Sequence, residues 1–237
     1  NPNPNSIPLG PAGMVSLPMA GANAGAAGQA PSCGSVSQTA DVKPGPVDIV
    51  WIIDSSGRMV DELNAVQQNI SRFANEIGNA GIDHHVVMLA QIDAAAGTSL
   101  ATDPQHYLFV PGLVGSHNAL QLLLEMYPRY APFLRPAAAL HFVVVSDDES
   151  HLPAQAFRTQ MEKLAGKSFI FHAIASESVN GQPCAGACGL PILCGAFAPG
   201  LQYYALAEMT GGEKISICVS DWSMVFGALQ SAVIESA

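Results

Sequence analysis

The chain has 237 residues, 49% of them apolar and only 12% charged, with 22 Gly and 17 Pro. That length suits one large domain or two small ones, with ample core material and much irregular chain. The net charge of −10 argues against a nucleic-acid surface, which would be basic. No apolar run approaches the roughly 18 residues of a membrane span.

Residues 1–31 contain 18 Gly, Ala or Pro and no charged side chain. Such a segment has no periodic apolar face, so burial cannot offset the entropy of ordering it. It reads either as a spacer or as an arm that becomes ordered against a neighbouring subunit. Asp41-Val42-Lys43-Pro44-Gly45-Pro46 punctuates the join. We therefore divide the chain into a low-complexity tail and linker, 1–46, and a folded domain, 47–237.

The domain opens with Val47-Asp48-Ile49-Val50-Trp51-Ile52-Ile53, a short β-branched run expected to be a strand buried on both faces. After Asp54-Ser55-Ser56-Gly57, the apolar residues Met59, Leu63, Val66, Ile70, Phe73 and Ile77 recur at three- and four-residue intervals. They predict a helix with one apolar stripe, stopping near Gly78. Strands are predicted over His85–Ile92 and Tyr107–Val110, then a helix over Asn118–Met126 and a strand over Leu140–Val145. A helix over Ala154–Leu164 and a strand over Phe169–Ile174 follow. The chain closes with a helix over Tyr203–Met209, a strand over Ile215–Val219 and a helix over Met224–Ile234. Alternation of this kind implies a doubly wound α/β domain with a mainly parallel central sheet flanked by helices. Val47–Ile53, Leu140–Val145 and Phe169–Ile174 are expected in its interior.

Ligands of such folds sit at the carboxyl ends of the strands. Two acidic loops lie there: Asp54-Ser55-Ser56, and Ser146-Asp147-Asp148-Glu149. Converging carboxylates and hydroxyls suit a hard divalent cation, Mg²⁺ or else Mn²⁺ or Ca²⁺. Acidic residues at these positions also serve as caps of the helices that start there.

Ile49 to Met59, with Asp54-Ser55-Ser56-Gly57-Arg58 at its centre, resembles the first motif of von Willebrand factor A-type domains, Asp-x-Ser-x-Ser after an apolar strand. Phe142 to Asp148 resembles their later strand ending in Ser/Thr-Asp. Phe133–Leu140 and Gly211–Cys218 are similar to a bacterial branch found on surface lipoproteins. The resemblance spans about Val47 to Ile234. It implies a metal-ion-dependent adhesion site with Asp54, Ser56 and Asp147 as ligands, Ser116 being the best counterpart of the family's Thr ligand. A partner carboxylate would complete the coordination. Arg58 stands where the motif has its second Ser. It either points away from the site or lies among the carboxylates and replaces the metal's charge.

Cys184, Cys188, Cys194 and Cys218 crowd the C-terminal third, without zinc-knuckle spacing or a nearby His. Disulfides are expected, and with them an oxidising, extracellular or cell-surface location. Four cysteines allow three pairings; one of them, Cys194–Cys218 with a small Cys184–Cys188 ring, would tie the long loop to the last strand. Cys33 is left over in the tail. Among the seven His, His141 and His172 fall within strands and read as satisfied core or edge groups. Asp83-His84-His85 and Asp147-Asp148-Glu149-Ser150-His151 offer metal-ligand types, a solvated loop being the commoner reading of both. There is no Gly-x-Ser-x-Gly elbow and no phosphate-cradling loop, so a binding role is expected rather than an enzymatic one. A metal-assisted hydrolase around Asp54 and Asp147 is the residual catalytic case. Two functions stand side by side. One is an adhesion protein capturing a protein or glycan ligand through a cation. The other is a structural subunit of an extracellular assembly, a metal-free scaffold joined to neighbouring subunits through its tail.

Overall fold

The computed structural model describes residues 44–184 and 196–237. The tail through residue 43, with Cys33, and the segment holding Cys188 and Cys194 lie outside the described residues. In chain order the elements are β1 (Val47–Ile53), α1 (Val60–Asn79), β2 (His84–Ala90), β3 (Tyr107–Pro111), α2 (Ala119–Glu125), α3 (Tyr127–Tyr130) and β4 (Ala139–Ser146). Then come α4 (Ala154–Ala165), β5 (Ile170–Ala175), the hairpin strands β6 (Ser178–Val179) and β7 (Gln182–Pro183), α5 (Leu201–Thr210), β8 (Lys214–Ser216) and α6 (Trp222–Ser236). Among the described residues no helix is long and apolar enough to cross a membrane.

Six strands form one sheet in the order β3-β2-β1-β4-β5-β8, every neighbouring pair parallel. The chain winds from β1 outward through β2 to β3, then returns to β4 and winds the other way through β5 to β8. This reversal leaves a crevice between β1 and β4 at their carboxyl ends, the switch point of a doubly wound fold. β1, β4 and β5 are interior strands, as their two-sided apolar character requires. β5 starts at Ile170, one residue later than expected.

Alternation along β1 divides the core. Val47, Ile49, Trp51 and Ile53 face α1 and α6, where the Trp51 ring packs on Phe73 and Phe226. Val50 and Ile52 face α2, α4 and α5 through Leu123, Phe157 and Tyr203. The predicted run to Ile92 ends instead at Ala90, and Ile92 is exposed. The last strand is also shorter than Ile215–Val219. After Ser216 the chain turns, with Cys218 N–H donating to Ser216 Oγ at 3.3 Å. Just before β8, Gly212 runs so close to β5 that an added Cβ would overlap the Phe171 carbonyl oxygen.

Three buried polar side chains inside the sheet, Asp48, His141 and His172, are paired. At its amino end Asp48 accepts from Arg135 Nε at 2.8 Å and from the Arg135 backbone N–H at 2.5 Å, and Arg135 also binds Asp83 at 2.7 Å. His141 and His172 lie on the neighbouring strands β4 and β5. Glu213 N–H donates to His172 Nδ1 at 3.1 Å, so His172 carries its hydrogen on Nε2 and gives it to His141 Nδ1 at 3.0 Å. His141 Nε2 then donates to Ser236 Oγ at 2.9 Å, and Ser236 donates to Val233 O at 2.8 Å. The chain of donors admits one tautomer at each ring, both neutral. Burial pushes His141 down to about 4, and burial together with His141 pushes His172 down to about 3.

Candidate metal centre

The register of β1 on β4 sets Ile53 beside Val145, so Asp54 and Ser146 come abreast as the two strands end. Asp54 N–H donates to Val145 O at 2.9 Å, which holds the backbone of the two loops together. The Asp54 carboxylate is held at both oxygens. Ser56 N–H donates to Oδ1 at 2.8 Å, and Ser146 Oγ donates to Oδ2 at 3.0 Å. One oxygen each of Asp54, Asp147 and Asp148 lie within 4.8 Å of one another, and the three residues are 1%, 5% and 4% exposed. Asp147 Oδ1 and Asp148 Oδ1 are buried with no hydrogen-bond partner. Among the described residues no Lys or Arg forms an ion pair with any of the three.

The contrast with Asp48 is chemical. At the amino end of the sheet one buried carboxylate meets a guanidinium; at the carboxyl end three meet only each other. An uncompensated buried charge costs several kcal/mol, and the site answers by holding protons. Burial pushes the Asp54 carboxyl up against the opposing effect of its Ser56 and Ser146 hydrogen bonds. Burial, then repulsion from Asp54, Asp148 and Glu62, pushes Asp147 up to about 7. A hard divalent cation bonds oxygens at ~2.0–2.6 Å and would supply the missing positive charge directly.

Asp54 and Asp147 are thus brought together, and Ser56 sits on the turn that binds Asp54. Ser116 is not joined to them: among the described residues it makes no hydrogen bond to the three carboxylates. Its loop is nevertheless tied to the site, since Ser55 N–H and Ser55 Oγ both donate to Val114 O, at 2.9 and 2.6 Å. Asp148 belongs to the cluster without having been singled out in the sequence. Strand alternation lapses where β4 ends, so nothing local says which of the consecutive acids turns inward. Glu62, in the first turn of α1, also approaches, with Oε2 buried and unpartnered. Acids are ordinary in a first helical turn, which hides it from sequence reasoning. Glu149 serves as a cap: its carboxylate accepts from Leu201 N–H at 2.8 Å and Gln202 N–H at 3.0 Å, closing the start of α5.

Arg58 forms no ion pair with the carboxylates among the described residues; its Cζ lies 5.2 Å from the centre of the Phe197 ring. Phe197 is itself placed by the site, because its N–H donates to Asp147 O at 2.8 Å. His117 and His151 stack at 4.2 Å on the same rim, and His117 Nδ1 donates to Glu149 O at 2.9 Å.

The disulfide joins Cys184 to Cys218, which replaces both bridges of the Cys194–Cys218 and Cys184–Cys188 pairing. The β6–β7 turn, with Asn180 at φ 53° and Gly181 at φ 79°, sends the chain back. That return brings Cys184 against the turn after β8, with a Cα–Cα distance of 6.1 Å. Cys184 O in turn accepts from Ala196 N–H at 3.2 Å, next to Phe197. No protein-family model matches the chain, and no curated protein matches its sequence.

Proposed function

We propose that this chain is a cation-dependent binding domain of the von Willebrand A type, acting outside the cell or at its surface. It captures an acidic group of a protein or glycan partner through Mg²⁺, or else Mn²⁺ or Ca²⁺. One observation carries this reading: three buried carboxylates converge at the switch point with no counter-charge, two of them with an unpartnered oxygen. The cation, when bound, supplies a Lewis-acidic position that accepts a partner oxygen. The chain's own part is preorganisation. Ser56 and Ser146 orient Asp54, the β4 terminus presents Asp147 and Asp148, and Asp147 gives up a proton as the cation arrives. The Cys184–Cys218 disulfide supports an oxidising compartment. The alternative, a metal-free scaffold in an extracellular assembly, needs Arg58 as the counter-charge among the carboxylates. Arg58 lies over Phe197 instead, which favours the cation.

Titration calorimetry of the full chain with Mg²⁺, Mn²⁺ and Ca²⁺ near pH 7 tests the reading. Binding is expected with release of a fraction of a proton, seen as an enthalpy that depends on buffer ionisation. Asp54→Asn is expected to weaken it more than tenfold. Failure of all three ions to bind overturns the proposal.

A further inference from the structure

Arg58 is the one cation among the described residues of the loops at the carboxyl end of the sheet. The other arginines have polar partners: Arg72 with Glu76, Arg135 with Asp48 and Asp83, Arg158 with Glu162, and Arg129 with the Pro111 carbonyl. Arg58 makes no such contact among the described residues, although its loop, like that of the unpartnered Asp147 and Asp148, lies at the carboxyl end of the sheet. Its guanidinium instead sits over the Phe197 ring, Cζ 5.2 Å from the centroid, a cation–π contact that uses none of its N–H donors. Phe197 is fixed to Asp147 through its backbone, so the guanidinium is held at a set position relative to the cluster. The charges also need it. Three carboxylates outweigh one divalent cation, so a loaded site without Arg58 would repel an anion. Arg58 offsets part of this negative charge, and the mouth offers two electrophilic points, a cation and a planar fork.

We infer that Arg58 is a ligand-recognition residue, and that the partner's carboxylate is shared between the bound cation and the Arg58 guanidinium. This rests on the cation reading above. The rim says which kind of partner carries the carboxylate. Phe197, 60% exposed, stands on the β5 side of the crevice, and Leu113, 70% exposed, on the β3 side. Apolar residues flanking a polar centre are the make-up of a protein interface. The ligand is therefore an acidic side chain of a polypeptide.

The test uses Mn²⁺-loaded protein and a blocked Gly-Asp-Gly tripeptide, with paramagnetic broadening of the Asp methylene protons read as a titration. Gly-Asn-Gly and glucuronate are run alongside. Arg58→Gln is expected to weaken Gly-Asp-Gly about tenfold while Mn²⁺ binds as well or more tightly, since a nearby positive charge is gone. Arg58→Lys should restore part of the affinity, because it keeps the charge and loses the fork. Arg58 is exposed, so these variants are expected to fold normally. Equal tripeptide affinity in wild type and Arg58→Gln, with Mn²⁺ bound, overturns the role of Arg58 and leaves the cation reading intact. Glucuronate binding more tightly than Gly-Asp-Gly overturns the polypeptide assignment. No Mn²⁺ binding at all removes both readings.

Discussion

Replacing Asp147 by Asn should make the metal-free protein more stable. The Asp147 carboxyl ordinarily titrates near 3.8 and is raised to about 7, by burial first and by its acidic neighbours second. Between about pH 4 and 7 the folded chain therefore keeps a proton that the unfolded chain has already lost. Stability falls as pH rises through this window, and the penalty is complete above pH 7. The gap corresponds to ~4 kcal/mol at 1.36 kcal/mol per pH unit. Part of it is repulsion that Asp54 and Asp148 also feel, so Asp147→Asn should recover ~2–4 kcal/mol at pH 8, or roughly 5–10 °C in Tm. Near pH 4 most of the gain should vanish, because folded Asp147 is protonated and the unfolded carboxyl, near its ordinary 3.8, is about half protonated too. Urea unfolding of both proteins in a chelator, at pH 8 and pH 4, measures the difference. Acid-sensitive groups remote from Asp147 act alike in both proteins and cancel, while Asp54, Asp148 and Glu62, which repel it, change with it. Equal stability at pH 8, or a gain that does not depend on pH, would refute the argument that Asp147 is an uncompensated buried charge.

The His141–His172 pair makes the opposite prediction. Its folded values lie below the ordinary 6.5, so the unfolded chain binds protons first as pH falls from 6.5 toward 4. Stability is lost over that interval by ~3 kcal/mol from His141 alone; a His141→Leu/His172→Leu variant should flatten this acid slope in urea titrations, and an unchanged slope would count against it. Differential alkylation should find Cys184 and Cys218 protected until reduction. Cys218→Ser should cost ~4 kcal/mol for a bridge spanning 34 residues, and free alkylation of either thiol in the native, unreduced protein would contradict the pairing.

Much of the architecture is written in local pattern. Two-sided apolar runs such as Val47–Ile53 and Leu140–Val145 can be satisfied only inside a sheet covered on both faces. Their alternation with amphipathic helices forces parallel crossovers. Asp54 and Asp147 were legible for the same reason, because polar residues directly after buried strands can lie only at the sheet's end. What the sequence left open depends on contacts between distant segments. Asp148 joins the cluster and Glu149 turns to cap α5 because the chain leaves β4 without a fixed side-chain period. Arg58 meets a ring instead of a carboxylate because Phe197, far along the chain, is hung on the Asp147 carbonyl. Cys184, rather than Cys194, meets Cys218 because the β6–β7 hairpin folds back on β8. Periodicity follows from the geometry of one element and is read residue by residue. Orientation at a loop is decided by whichever partners the completed sheet brings within reach.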